Sequence, residues 1–503
     1  MANRLTIYFT SDTHGYLYPT NFADAMPRPM GLLGMAFAKD GNTLVIDGGD
    51  TLQGSPLSYY CQSQGETMPM ADVMNDLQYD YITLGNHDFN YGIAPLQAHL
   101  EKLNAACLCG NVRDHRGELP IGSFALHTLQ NGIRVGLFGI VTDWIKRWET
   151  PEHLADFSIT SPLDSAREAV AQLRSQCDIL VGIYHGGFEK DLDTEKRLSN
   201  TDENIACALC EELPLDILLT GHQHIAMANR VYCGVHVAQT PCNATAYAKV
   251  TVDAQGKITS ELLPPVATAT LKPWQSGLLG RLNAWLDKPI GKLSHALWPQ
   301  EKLTMALQGS PIATFINQVQ LAVSGAEVSC TALSNDLRGF DSAVTVRDVV
   351  ASYTYANTLV VLSVTGRTLR QALEQCATYF AVLADGSVTV SDAFLRPKAA
   401  HYNYDYFWGV TYAFDLRKPI GNRVTRLRRL GEPVTDDARF SLVMNSYRAT
   451  GAGDFDGYQR CERIREMQTD VSELLLDYLR EHSPITVDDA SAYEVILPDG
   501  RRA

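Results

Sequence analysis

A chain of 503 residues is too long for one ordinary domain and long enough for two with good hydrophobic cores. With 45% hydrophobic and 20% charged residues it has the composition of a soluble globular protein, and a formal net charge of −15 excludes a protein built to grip polymeric nucleic acid, which needs an extended basic face. No apolar run reaches membrane-span length, the first residues lead into a strand-like run without a signal-peptide pattern, and the 11 cysteines are scattered. The expectation is a cytoplasmic enzyme with reduced thiols and no membrane partner.

In chain order, five short apolar runs each end in metal-binding side chains. LTIYFTSDTH carries Asp12 and His14, TLVIDGGD ends in Asp50, YDYITLGNHD supplies Asn86 with His87 beside it, CDILVGIYHGG supplies His185, and LDILLTGHQH ends in His222 and His224. Each run is rich in Ile, Leu, Val, Tyr or Thr and is closed by Gly, Asn or Asp, the pattern of a buried strand leaving a sheet. Ligands at the carboxyl ends of neighbouring strands converge in one crevice of a layered α/β fold. Between the runs, SPLDSAREAVAQLRSQ at 161–176 reads as a helix capped by Ser161, with Pro162 in its first turn. Residues 1–265 therefore form an α/β domain. The prolines of LLPPVATATLKPW mark a boundary, GLLGRLNAWLDKPIGKLS at 277–294 reads as a connecting helix, the linker that carries it is placed at 266–292, and 293–503 form a second domain.

Seven ligands suffice for two adjacent divalent ions. Imidazole suits zinc and iron, and carboxylate and amide oxygens also suit manganese, so ligand type does not select the metal. The two ions bring four positive charges and Asp12 and Asp50 return two, which leaves a cationic site. A bridging carboxylate such as Asp50 holds such ions about 3.5–4 Å apart, and a water between them falls from a pKa of about 15.7 towards neutrality, which suits attack on an anionic phosphoryl group.

The motifs DTH at 12–14, GGDTLQGSP at 48–56, GNHDFNYG at 85–92, YHGG at 184–187 and GHQH at 221–224 resemble those of the calcineurin-like metallophosphoesterases, and within them the 5′-nucleotidase group. SNDLRGF, YTYANTLVVLSVTGRTLRQALE, YDYFWGVTYAFDLRKPIGNRV and NSYRATGAGDF resemble that group's nucleotide-specificity domain, so the resemblance spans about residues 4–480. It implies a four-layer αββα metallophosphoesterase domain followed by an α/β nucleotide-specificity domain, which in 5′-nucleotidases swings about its connector. It also implies that Asp12, His14, Asp50 and His224 hold one ion, and Asp50, Asn86, His185 and His222 the other.

FNYG, NYD…GVTYAFD and NSYRATG are closest to 2′,3′-cyclic-nucleotide phosphodiesterases that also act as 3′-nucleotidases. The resemblance thus implies hydrolysis of 2′,3′-cyclic nucleotides to 3′-nucleotides and then nucleosides, with a small nucleotide as the partner. A 5′-nucleotidase or nucleotide-sugar hydrolase is the nearest alternative, and a non-catalytic nucleotide sensor the alternative of another class.

His87 is placed to give a proton or hydrogen bond to the phosphoryl group or leaving oxygen. In 5′-nucleotidases the matching histidine pairs with an aspartate three residues on. Here Asn90 holds that place, and it orients the ring without an opposing charge, while Asp88 sits where the family has an acid. In the second domain Arg338, with Asn335 ahead of it, matches a residue that binds the anionic end of the substrate. Tyr404 and Tyr447 match two aromatics that sandwich the base, and Asp454 is matched to the sugar hydroxyls. The other histidines, His99 and His153 among them, read as ordinary core or surface residues. Cys207 and Cys210 read as packing within a helix, and Arg423, Arg426, Arg428 and Arg429 as a solvated strand face.

Overall fold

The computed structural model describes residues 4–503 apart from 25, 150, 193, 194, 196, 198–201, 336, 355, 356, 396–398, 489 and 490, and apart from the side chains of 147 and 148. The chain divides into two compact units, Met1–Leu282 and Asn283–Ala503.

In the first unit the metal-motif runs are strands. Leu5–Thr10 lies parallel to Thr43–Asp47, and that strand parallel to Tyr81–Ile82, inside a seven-stranded sheet. Ile179–His185 lies parallel to both Arg134–Val141 and Ile217–Thr220 in a six-stranded sheet. Alternation sends Leu5, Ile7, Phe9, Leu44 and Ile46 from the first sheet against Leu137, Val181, Ile183, Ile217 and Leu219 from the second, and these buried side chains form one core. A second core lies on the other face of the six-stranded sheet. There Ala166, Val170 and Leu173 of helix Pro162–Leu173 and Cys207, Leu209 and Cys210 of helix Ala206–Glu212 pack over Phe138, Leu180 and Leu218. Facing sheets with helices outside are the layers the family resemblance implies.

Local chemistry sets the helix ends. Ser161 Oγ accepts from Asp164 N–H at 3.3 Å, and Pro162 opens the helix where its missing N–H costs nothing. The connecting helix is shorter than the sequence reading. It runs Pro273–Leu286, because Pro289 cannot donate to a helical bond and disfavours helical backbone just before it. Residues Pro289–Lys292 instead pair with Ala343–Thr345 as a strand.

In the second unit a five-stranded sheet runs in the order Asp405–Trp408, Val328–Ala332, Arg439–Asn445, Leu359–Thr365, Glu462–Met467, and helix Pro311–Ser324 packs on it. The arginine run departs from expectation at one position. Arg423 is buried and donates to the carbonyls of Ala377 and Phe380, both at 2.7 Å, because those carbonyls at the end of helix Gly366–Ala377 and beyond it need donors. Arg426 and Arg428 are exposed.

One core residue of the first unit carries a pH dependence. His99, in helix Ile93–Lys102, is buried, neither ring nitrogen has a hydrogen-bond partner among the described residues, and burial lowers its pKa to about 4. A histidine lowered on folding stabilises fully above its unfolded pKa and loses that contribution as pH falls towards its folded pKa, here from about 6.5 to 4. The shift corresponds to about 3 kcal/mol at most. The variant His99→Leu is expected to lose less stability than the wild type between pH 6.5 and 4, read from urea midpoints. Parallel losses in the two proteins would refute the assignment.

Candidate functional site

All seven expected ligands sit just past, or at, the carboxyl ends of the strands of the first unit. The chain turns abruptly there. Asp12, His14, Asp50, His222 and His224 all have positive φ, between 49° and 70°, a region that costs an L-residue roughly 1–2 kcal/mol.

Buried hydrogen bonds hold these turns. Asp12 N–H donates to Gly49 O at 2.9 Å and His14 N–H to Asp50 O at 2.8 Å. The Asp88 carboxylate accepts from the N–H groups of Asp50 (3.0 Å), Thr51 (2.8 Å), Leu52 (3.0 Å) and Gly85 (2.8 Å). Glycine is required where these turns meet, since a Cβ on Gly85 would lie 2.1 Å from Asp50 Oδ1.

The side chains form two groups, Asp12–His14–His224 and Asp50–His185–His222, each with its ligand atoms within 4.8 Å of one another. Asn86 joins the second group, its Oδ1 lying 3.2 Å from His185 Nε2 and 2.9 Å from His222 Nδ1. The outer partners fix which nitrogen faces inward. His14 Nδ1–H donates to Gln53 O at 2.9 Å and His185 Nδ1–H to Gly48 O at 2.7 Å, so both turn Nε2 to the site. His222 is turned the other way, with Nε2–H donating to Glu203 at 3.0 Å and Nδ1 facing in. No sequence signal separates Glu203, which holds His222 in this orientation, from other acidic residues.

This donor set fits divalent cations. His14 Nε2 faces His224 Nε2 at 3.1 Å, and the buried Asp50 Oδ2, without a hydrogen bond among the described residues, faces His185 Nε2 at 3.1 Å. Lone pairs at that separation repel unless a cation or proton lies among them. Burial opposes ionisation of Asp12, but its hydrogen bond with His224 and the charge of His185 prevail and lower it to about 2. Asp50 is likewise held well below the carboxylate range, burial being overcome chiefly by His185 and His87. Burial lowers His14 to about 4, so its ring is neutral. His185, which burial alone would lower, is raised to about 9 by Asp50; a metal ion held there would displace that proton.

His87 belongs to neither group. Its N–H donates to Asp50 Oδ1 at 2.7 Å, its ring stands edge-on to His14 with centroids 5.3 Å apart, and its Nδ1 lies 2.7 Å from Asn90 Oδ1. Asp88 serves as a backbone clamp rather than a proton donor, since its four partners are all main-chain N–H groups. Burial and then the Asp50 charge raise its pKa.

The second unit holds the expected substrate residues. Tyr447, on the short helix Ser446–Ala449, is 43% exposed and offers a ring face for stacking. Asp454 is exposed with φ 68°, and Gly453 beside it packs on Arg448 and Asn403 where any Cβ would collide, so the glycine run is a packed turn. Arg338 is half exposed, with Nε 3.6 Å from Asp348 Oδ1, and Asn335 donates to Ala399 O at 2.8 Å.

Tyr404 requires correction. It is 2% exposed, its ring packs among Tyr379, Phe380 and Tyr406, and its hydroxyl donates to Ala306 O at 3.1 Å, so neither face is open to a base. Tyr402, two residues earlier, is only partly buried. The buried Arg448 links their loops, with Nε 2.8 Å from Asp405 Oδ2 and Nη2 donating to Tyr402 O at 3.0 Å.

The chain matches the family model of the calcineurin-like phosphoesterases over residues 5–226 and that of the 5′-nucleotidase C-terminal domain over 289–460. A solved Staphylococcus aureus protein assigned as a 5′-nucleotidase is 33% identical, with 98% of this chain and 99% of that one covered and a TM-score of 0.74. The chain belongs to the calcineurin-like phosphoesterases. Among curated relatives, the Haemophilus influenzae 2′,3′-cyclic-nucleotide 2′-phosphodiesterase/3′-nucleotidase is 24% identical over 95% of this chain and 85% of its own length. The Bacillus subtilis trifunctional nucleotide phosphoesterase protein YfkN is 24% identical over 96% of this chain, which spans 38% of YfkN. The family hydrolyses phosphoesters with a dinuclear divalent metal centre, and the two ligand groups of this calcineurin-like phosphoesterase are the candidates for it.

The placement of these residues sets expectations for their variants. Glu203→Gln, which removes the charge oriented on His222, is expected to weaken metal retention about 10–100-fold, and Asp50→Ala to remove it, measured as metal content after dialysis against graded chelator; unchanged retention in Glu203→Gln would dismiss its role. Tyr447→Ala is expected to raise KM for nucleotides about tenfold with an unaltered melting temperature. Tyr404→Phe is expected to do the reverse, costing about 1 kcal/mol of stability and leaving KM in place.

Proposed function

We propose that this protein hydrolyses nucleotide phosphoesters, opening 2′,3′-cyclic nucleotides to 3′-nucleotides and then removing the 3′-phosphate. The observation that carries the reading is the set of seven converging donors beside a histidine whose partner is the neutral Asn90. The curated relatives named for cyclic-nucleotide and 3′-nucleotide hydrolysis support the substrate class.

Divalent cations held by the two groups would polarise the phosphoryl oxygens and lower the pKa of a water nucleophile. The protein's own groups do the rest. Nδ1–H of His87 is committed to Asn90, so Nε2 is the atom that gives a proton to the departing ribose oxygen. The Asp88 clamp keeps Asp50 and His87 in register with each other, and His14, held neutral by burial, adds no charge that would repel a cation. Tyr447, Tyr402 and Arg338 of the second unit offer stacking faces and a cation for the nucleoside and its anionic end. A diester and a monoester both present non-bridging oxygens, which explains how one centre serves both steps.

A 5′-nucleotidase is the second reading, favoured by the 33% identity to the Staphylococcus aureus protein so assigned. Initial rates on 2′,3′-cyclic AMP, 3′-AMP, 5′-AMP and a nucleotide sugar, with metal content measured on the same sample, decide between them. The cyclic diester and 3′-AMP are expected to exceed 5′-AMP about tenfold or more in kcat/KM, and chelator is expected to abolish turnover. Dominant phosphate release from 5′-AMP would establish the second reading, and binding without turnover by the metal-loaded protein would make it a sensor.

A further inference from the structure

The neutral partner of His87 is itself held by a charge. Asn90 Nδ2 donates to Glu149 Oε2 at 2.5 Å, and the other oxygen, Glu149 Oε1, lies 2.9 Å from His153 Nδ1. Glu149 follows helix Ile145–Trp148, its side chain is 3% exposed, and its N–H donates to Ile145 O at 2.8 Å, so both ends of the residue are tied down. Four side chains thus form one line, from His87 through Asn90 and Glu149 to His153.

We propose that Glu149 is a positioning residue for the reaction, which acts by fixing the orientation of the Asn90 amide; the inference rests on the phosphoesterase reading above. An asparagine amide carries a donor at one end and an acceptor at the other, and nothing in its own shape decides which faces the histidine. A carboxylate only accepts, so Glu149 compels Nδ2 to face it and turns Oδ1 to His87. That oxygen accepts the Nδ1–H of His87, which leaves Nε2 as the exchangeable position on the ring.

When Nε2–H passes its proton to the leaving oxygen, the oxygen's electron pair takes it up as an O–H bond. The imidazole is left neutral with Nδ1–H still held. Without the carboxylate the amide can turn and present N–H to Nδ1. The ring then takes the opposite tautomer, which could give up Nε2–H only by becoming an imidazolate. His153, partly exposed, steadies the far oxygen of Glu149.

Exchanging the two functional groups tests this. Glu149→Gln removes the compulsion, because glutamine offers either a donor or an acceptor to Asn90; kcat is expected to fall about tenfold with KM within about twofold. Asn90→Asp sets two carboxylates against each other at the 2.5 Å contact and is expected to fall further. In the double variant Asn90→Asp/Glu149→Gln, the amide N–H introduced at position 149 donates to the carboxylate introduced at position 90. The other oxygen of that carboxylate accepts from His87, and kcat is expected to recover above that of Asn90→Asp alone. Recovery cannot come from misfolding, so the sign of this coupling is independent of damage by either single change.

The readout is kcat and KM on bis(p-nitrophenyl) phosphate and on the best nucleotide of the panel. On the zinc-loaded protein labelled with ¹⁵N-histidine, the Nδ1–H resonance that disappears in His87→Gln is expected in the wild type and the double variant, and lost to exchange in Glu149→Gln. Unchanged kcat in Glu149→Gln, a double variant at the product of the two single losses, or a retained resonance in Glu149→Gln would each overturn the assignment. If the wild type hydrolyses no phosphoester, the functional reading fails by itself, and the resonance still reports whether Glu149 orders the histidine.

Discussion

The site depends on forcing chain reversals through residues whose side chains are the candidate ligands. A glycine would turn the chain after each strand without strain, but a glycine has nothing with which to bind metal. Asp12, His14, Asp50, His222 and His224 therefore adopt the left-handed backbone themselves. At roughly 1–2 kcal/mol each this is a large local cost, and the hydrogen bonds that neighbouring N–H groups make in this conformation offset it. The main-chain bonds of Asp12 to Gly49 and His14 to Asp50, and the four N–H groups gathered on Asp88, make the strained conformation the one in which buried polar groups are paired. The two packed sheets behind supply the rigidity against which those turns are held.

Around this centre one functional group, the carboxylate, serves as ligand, as clamp and as orienting acceptor. Asp50 is buried with an oxygen that lacks a hydrogen bond among the described residues, the environment of a ligand. Asp88 is also buried, yet its oxygens are filled with backbone donors, the environment of a clamp. Glu203 stands behind His222 and Glu149 behind Asn90, each setting the direction of a polar side chain that faces the site. What differs is the set of donors that each carboxylate meets, and the chemistry follows from that set.

In the second unit a different buried charge organises the aromatic surface. Arg448 is 2% exposed, paired with the equally buried Asp405, and its guanidinium carbon lies 4.2 Å from the centre of the Phe455 ring. Removing one member would strand the other's charge in the core, so the pair firmly joins the 401–405 segment to the 446–455 turn. Tyr402 and Tyr447 are carried on the two segments so joined. Tyr404, next to strand Asp405–Trp408, packs in the core, whereas Tyr402 sits on the short turn His401–Asn403 and stays partly exposed.

Local sequence determined much of this protein. Apolar runs ending in Asp, Asn or His announced the strands and the seven candidate ligands, and Ser161–Pro162 announced a helix start, because strand burial, ligand chemistry and capping are each written in a few adjacent residues. What depended on distant partners could be settled only by tertiary structure. Tyr404 and Tyr447 look alike as residues, and packing alone made one core and left the other exposed. Glu149 and Glu203 carry no local mark, since a carboxylate acquires a role in orienting Asn90 or His222 only when folding brings it within hydrogen-bond reach across 59 and 19 positions of chain.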